Sequence, residues 1–326
     1  MNGITRVWGF SHIMTVTILT PVYAVERYIA ECAESLFSQT YPDIEYVFCD
    51  DCTPDGSISV LEEVIRRHPE RANAVRIIRN ERNSGIGLVR ARLLEAVRTD
   101  CFFFADSDDL LPENAIATLV ERMEATGKDI IDGAHADYMA GKVMPPQLTY
   151  HGSDEAFCRR VLCQNVEANR VWGRLYKASV LQKLPDMFFE GIDYSEDYCA
   201  VARLAALTSR AWTDEVVYLY RRDNLSSYTK NVSRKNIMSY LRANREVLRF
   251  YRQRGHLPFA LEIGMLNAYR ECRRAGMPPV VADDVMRYVP EHWRARLLCR
   301  LLCSSALYAL GDRLYRVMRL FVVGYK

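Results

Sequence analysis

Cys101-Phe102-Phe103-Phe104-Ala105-Asp106-Ser107-Asp108-Asp109 is an apolar aromatic run that ends in three acids. A short run of this kind predicts a strand buried inside a sheet. Carboxylates at its C-terminal end then stand in the crevice where open α/β sheets bind ligands. Asp106 and Asp108 repel each other unless a cation lies near them. All-oxygen ligands suit Mg2+ or Mn2+, hard ions that take few protein ligands and fill the rest of their shell from water and phosphate. On these residues alone a second reading stands beside the metal site: Asp is a common turn former, and strands often end in such turns.

The segments upstream repeat the pattern. Met14 to Tyr23 predicts a buried strand stopped by Pro21, and Ile44 to Cys49 a second strand that delivers Asp50 and Asp51 at its end. Val75 to Arg79 reads as a third strand and Cys101 to Ala105 as a fourth. Helical periods over Ala24 to Gln39, Ser57 to His68 and Gly85 to Val97 separate them. Strand and helix alternate three times, which implies parallel strands joined by right-handed crossovers. A helix over Ala115 to Thr126 follows, then a short strand over Asp129 to Ala134 and a loop or edge hairpin over residues 142 to 153. Ala211 to Tyr220 reads as a further strand, and from about Arg234 the pattern turns helical and basic. Two strand ends carrying Asp50-Asp51 and Asp106-Ser107-Asp108 set at least four acids along one sheet edge. That clustering is costly unless the acids serve a cation or a hydrogen-bonded ligand, and it favours the functional reading of the turn.

Composition narrows the class. With 326 residues, 49% apolar and 26% charged, the chain is ordinary for a globular protein of one large domain with an appendage. The net charge of +2 hides an excess of arginine after Arg270. Ten cysteines show no disulfide framework and no zinc spacing, which points to reduced thiols and a cytoplasmic setting. No run of about 20 apolar residues predicts a membrane span. Residues 1 to 13 read as a flexible extension, with translation starting at Met1 or at Met14. Pro21-Val22-Tyr23 stands where a dinucleotide or phosphate-loop protein would carry glycines. The six histidines show no metal spacing, and Trp172 reads as a packing residue rather than a sugar platform.

The first half resembles the family 2 glycosyltransferases of the GT-A fold. The resemblance rests on VTILTPVYAVERYIAECAESLFSQTYPDIEYVFCDDCTPDGS, the Asn83-Ser84-Gly85 to Arg90 segment and FFFADSDD, in order and in register. Val171 to Tyr176, Tyr194-Ser195-Glu196-Asp197-Tyr198 and Val217 to Arg222 add shorter matches, so the resemblance covers about residues 15 to 230. It implies a Rossmann-like, mostly parallel sheet flanked by helices over 14–230, with a mainly helical, basic C-terminal region over 231–326. It also implies an inverting transferase that passes a sugar from a nucleotide diphosphate sugar to a hydroxyl of a glycan or lipid-linked acceptor. By the same resemblance Pro21, Val22, Tyr23 and Asp51 line the nucleotide pocket. Asp106 lies near the ribose, Asp108 with Asp106 holds Mn2+ or Mg2+, Arg221 or Arg222 offsets the diphosphate charge, and Ser107 and Arg90 belong to the donor site. Asp197 is the general base. The chain departs from the family where Cys52-Thr53-Pro54 replaces the usual Gly-Ser after the second strand, and where Val89-Arg90-Ala91 replaces Ala-Arg-Asn. A nucleotidyltransferase and a non-catalytic binding scaffold of the same fold remain the alternatives.

The tail from Arg294 to Lys326 interleaves leucines with arginines. Such a helix either packs on the catalytic domain or lies on the inner face of an anionic membrane. The basic residues are not arranged for nucleic acid.

Overall fold

The computed structural model describes residues 13–224, 233–274, 290–304 and 306–323. All of the expected extension over residues 1 to 13 except Ile13, and the expected boundary near residue 230, lie outside the described residues.

The elements run β1 Val16–Val22, α1 Ile29–Phe37, β2 Ile44–Asp50, α2 Ser57–Arg67, the single turn α3 Pro69–Ala72, β3 Val75–Arg79, α4 Ile86–Glu95 and β4 Cys101–Phe104. Next come α5 Ala115–Thr126, β5 Ile130–Met139, β6 Lys142–Gln147, α6 Asp154–Leu162, α7 Val166–Asn169, β7 Arg174–Lys177, α8 Val180–Lys183, α9 Glu196–Leu204 and β8 Arg210–Arg221. Among the described residues four helices follow: α10 Arg234–Gln253, α11 Phe259–Arg274, α12 Trp293–Cys303 and α13 Tyr308–Val323.

The strands form one sheet in the order β3-β2-β1-β4-β7-β5-β6, with β8 paired to β5. β1 to β4 are mutually parallel, as the strand–helix alternation predicts. β7 enters antiparallel between β4 and β5, so β5 and its parallel partner β8 point the same way as β4. The carboxyl ends of β1, β2, β4 and β8 therefore open on one edge, and that edge carries the acids.

Alternation along the strands sorts the core into two layers. Ile18, Phe48 and Phe103 face α1, α2 and α5, while Leu19, Val47, Phe102 and Phe104 face α4, α6, α9 and the C-terminal helices. The three phenylalanines of β4 are fully buried, which is why so short a strand holds the centre of the sheet.

Four sequence expectations need correction. The first helix starts at Ile29 rather than Ala24: Ala24 lies at φ +53°, outside the helical region, and its amide and those of Val25 and Glu26 are bonded to Thr53 Oγ1, Ser57 Oγ and Asp55 of the next loop. β5 is ten residues long, not six, since its second half pairs with β6 and β8. β7 was not expected at all. Its Arg174 is buried yet satisfied by Asp132 of β5, at 3.1 Å, together with Arg170 and Arg210. Burial alone raises the Asp132 pKa, but the three guanidiniums outweigh it and hold the carboxyl below the usual range. The C-terminal tail is two helices, not one.

Candidate active site

The turn after β4 is held from three directions. The Asp106 amide donates to Tyr218 Oη at 3.0 Å, and that hydroxyl donates to Asp109 Oδ2 at 2.8 Å. Asp109 Oδ1 accepts from the Arg221 amide at 2.7 Å, and the Asp108 carbonyl accepts from Arg221 Nε at 2.6 Å. Asn224 Nδ2 donates to Asp108 Oδ2 at 2.7 Å. The acids thus split by role: Asp109 is buried into the scaffold, whereas the Asp106 side chain keeps a quarter of its surface open. Burial, then the charge of Asp106, pushes the Asp108 pKa above the carboxylate range, and burial with both neighbours pushes Asp109 further up. Ser107 is buried between them.

Arg90 connects this turn to the second half of the chain. It sits in α4, 3% exposed, beneath Phe104 and Phe188. Nη2 donates to Asp106 Oδ1 at 3.0 Å, while Nη1 donates to Glu196 Oε1 at 2.7 Å and to Asp197 Oδ1. One guanidinium therefore bridges three carboxylates, 16, 106 and 107 residues from Arg90 in sequence. Burial alone lowers the Arg90 pKa, but Asp197, Asp106 and Glu196 together raise it, so it stays charged. Glu196 and Asp197 both titrate above the usual range through burial, and Arg90 pulls each part of the way back. They also open α9, where the helix dipole favours negative charge. Ser195 precedes them at φ +68°, a left-handed conformation unusual for serine.

The loop before that pair is tied down on both sides. Ser239 of α10 accepts from the Asp193 and Tyr194 amides at 2.8 and 2.9 Å. Asp193 Oδ1 accepts from the Gly87 amide at 3.3 Å. A Cβ at Gly87 would lie 2.4 Å from the Phe189 carbonyl, and one at Gly85 (φ +85°) would lie 2.2 Å from Asp193 Oδ1. Glycine at both positions lets α4 approach the loop closely enough for Arg90 to reach across.

At the end of β1, Tyr23 is 46% exposed and Pro21 partly exposed, while Val22 is fully buried and its carbonyl accepts from the Asp51 amide at 3.0 Å. Asp51 is buried. It accepts from Asn80 Nδ2 (2.7 Å), the Ser84 amide (2.8 Å) and the Gly85 amide (3.0 Å), three of the roughly four acceptor positions of a carboxylate. Cys52 lies at φ +56°, which explains why relatives of this pattern place glycine there. Arg221 is packed between the rings of Tyr28 and Tyr138 and paired to Glu31 at 2.5 Å. Arg222 is half exposed and paired with Asp137 at 2.9 Å.

Of the residues that sequence reasoning named, Arg90, Asp106 and Asp197 meet, while Asp108 stands two residues along the turn on Asn224. That reasoning gave no functional role to Asp109, Tyr218, Asn224, Asn80 and Ser239, and it attached none to Glu196 beyond its place in the motif. The acid after Asp108 and the tyrosine two residues before Tyr220 were the visible signals, yet only pairing of β8 beside the turn reveals what they do. Trp172 stacks on Tyr218 and Tyr220 with Arg170 over its ring, the packing role expected of it. A groove of about 1060 Å3 lies away from the acids, where Leu162, Leu207, Tyr251, Phe259 and Phe321 meet near the starts of β5 and β8.

An α/β sheet with acids gathered at its carboxyl edge and a second acidic pair brought in by a helix defines a GT-A-type transferase. The profile of glycosyl transferase family 2 matches residues 17–185, and the chain belongs to that family. It is 27% identical over 227 residues to the uncharacterized glycosyltransferase EpsJ of Bacillus subtilis, covering 66% of this chain and 63% of EpsJ. S. aureus TarS 1–349 in complex with UDP-GlcNAc superposes with a TM-score of 0.64 at 16% identity, over 94% of this chain and 92% of that one. The mannosyltransferase PcManGT of Pyrobaculum calidifontis, in complex with GDP-Man and Mn2+, gives 0.54 at 15% identity over 95% and 88%. These two likenesses are of fold.

Proposed function

We propose that the chain is an inverting, metal-dependent glycosyltransferase that moves a sugar from a UDP-sugar to a hydroxyl of a surface-polysaccharide or lipid-linked glycan acceptor. The observation that carries this reading is the Arg90 guanidinium, which sets Asp106 of the donor-side turn beside Glu196 and Asp197. Donor grip and general base are then parts of one buried ionic cluster.

In this reading Asp197 takes the proton of the acceptor hydroxyl as its oxygen attacks sugar C1. The bond from C1 to the diphosphate oxygen breaks on the opposite face, its electron pair leaving with the nucleoside diphosphate, and the anomeric centre inverts. Asp106 and Asp108 fit a divalent cation. They are hard oxygen donors whose mutual repulsion already raises Asp108, and a cation would relieve it. Among the described residues no three His, Cys, Asp or Glu converge as a metal group, so an ion held by Asp106 and Asp108 would have to draw its other ligands from water and diphosphate. When bound, Mn2+ or Mg2+ would offset the charge growing on the leaving diphosphate. The Mn2+ and nucleotide-sugar complexes of the two structural neighbours support the donor class. Tyr23 would stack near the base beside Pro21 and the Val22 backbone, and Asp51 would offer its remaining acceptor position to a uracil edge. Ser107 would stand near the ribose. Arg221 and Arg222 would face the diphosphate, Arg221 being the one that touches the acidic turn.

A lipid-linked acceptor would bring the enzyme to the inner face of the cell membrane. No helix among the described residues is long and apolar enough to cross one.

Calorimetry with UDP, with and without Mn2+, tests the donor site: binding should require the metal and disappear in Asp108→Ala, which should also abolish turnover. Asp197→Asn should keep donor binding and lose transfer. Turnover retained by purified Asp108→Ala would remove the metal assignment. Metal-independent or absent UDP binding would favour the scaffold alternative.

A further inference from the structure

Between Pro290 and Val323 the chain carries six arginines against two acids, Glu291 and Asp312. α12 and α13 fold as a tight hairpin: a Cβ at Gly311 would lie 2.9 Å from Leu301 Cβ, so the two helices meet there without a side chain between them. One side of the hairpin is anchored to the protein. Leu298, Leu302 and Tyr315 are buried, Asp312 accepts from Arg270 Nε of α11 at 2.6 Å, and Arg319 donates to the carbonyls of Cys163 and Gln164 at 2.9 and 2.8 Å. The apolar residues of the tail thus divide, some packing inward and the rest left out.

Those left out make a stripe. Leu310 (50% exposed), Leu314 (41%), Val317 (51%) and Phe321 (82%) recur at i, i+4, i+7 and i+11 on α13. Leu307 precedes them, and Trp293 and Leu297 stand equally open on α12. A single exposed leucine is unremarked on any protein, but a continuous helical stripe marks a surface that something covers. Arg313 and Arg316 flank the stripe and are exposed, as are Arg294 and Arg300 on α12. A second copy of the same face would set these arginines against each other, a like-charge arrangement that opposes a two-fold contact. A bilayer rich in anionic headgroups offers both what the stripe needs and what the arginines need. An exposed tryptophan beside the stripe suits the headgroup level. We infer that the α12–α13 hairpin seats this protein on an anionic lipid surface, lying along it with the Leu310–Phe321 stripe in the headgroup boundary. The inference extends past the catalytic reading and does not depend on it.

Co-sedimentation of the full chain with vesicles, in the absence of any substrate, tests it. Binding to phosphatidylglycerol vesicles should exceed binding to phosphatidylcholine vesicles at least about tenfold and should weaken as salt rises. Arg313→Ser should weaken it roughly fivefold, as expected for one cation near a charged surface. Phe321→Glu and Leu314→Glu should each reduce binding to the phosphatidylcholine level while circular dichroism and the urea midpoint stay unchanged. The inference falls if the chain stays in the supernatant with phosphatidylglycerol. It falls equally if Phe321→Glu binds like the parent chain, or if light scattering finds a dimer that this substitution splits, since a second copy would then occupy the stripe.

Discussion

Replacing Arg90 by Met keeps an unbranched side chain over Phe104 and Phe188 but removes the one cation shared by Asp106, Glu196 and Asp197. Breaking a buried pair from one side costs about 3–5 kcal/mol, because a charge is left without its partner. The three carboxylates keep 13–25% of their side-chain surface open, so the lower end, about 3 kcal/mol, applies where all three are ionised. The sign of the pH dependence follows from the acids. Burial, first, and then the charge of Asp197 raise Glu196, and burial, then the charge of Asp106, raise Asp197, with Arg90 pulling against both. Without Arg90 the folded-state values move higher still. An acid raised in the folded state contributes stability that is complete below its unfolded pKa, about 4, and is lost as pH climbs through the folded value.

The Arg90→Met deficit should therefore be small near pH 4.5 and largest at pH 8. Urea titration reads it directly: at pH 8 the midpoint should fall by about 1 M for a slope near 3 kcal/mol per M, and by clearly less at pH 5. The acid limb of the transfer profile should move to higher pH, since Asp197, as the base we propose, takes a proton only when ionised. Arg90→Lys should recover part of the stability, an ammonium lacking the fork that spans three partners. An equal deficit at both pH values would refute the reasoning and assign Arg90 to packing alone.

Asp132→Asn removes the carboxylate that Arg170, Arg174 and Arg210 share and should cost about 3–5 kcal/mol by urea titration, since three buried guanidiniums would then repel one another. Gly85→Ala forces a left-handed alanine against Asp193, so stability should drop by at least about 1–2 kcal/mol and UDP affinity should fall with it, both measurable on the purified variant.

The alternation of strand and helix carried β1 to β4 to within a residue or two of their ends, because buried β-branched and aromatic runs alternate cleanly with amphipathic stretches there. Helix α5 and strand β3 fall where the periodicity places them. β7 was invisible because Arg174 and Lys177 bracket only two apolar residues, Leu175 and Tyr176. Nothing local to the segment says that Asp132, 42 residues earlier, will neutralise the arginine. The start of α1 has a related cause: Ala24 is held at φ +53° with its amide on Thr53, a residue 29 positions on that nothing local to the segment announces. In the site, the acids at the strand ends were legible from position alone. Which acid faces a ligand and which is bonded into the scaffold was not, since Asp108 and Asp109 differ by a single residue and by everything packed around them.

That last distinction has a physical consequence for how the turn exists at all. Three acids within four residues would repel one another in an isolated loop. Each is instead met by a different part of the chain: Asp106 by Arg90 of α4, Asp108 by Asn224, and Asp109 by Tyr218 and the Arg221 amide of β8. The bond across from Leu110 to Leu219 then fixes the turn to β8. Two of these three supports come from beyond residue 185, where the family match ends. The acidic turn is thus a product of the assembled sheet rather than of its own sequence. The same β8 contact that buries Asp109 leaves Asp106 facing Arg90 and the Glu196–Asp197 pair, so one packing event both stabilises the turn and aims it.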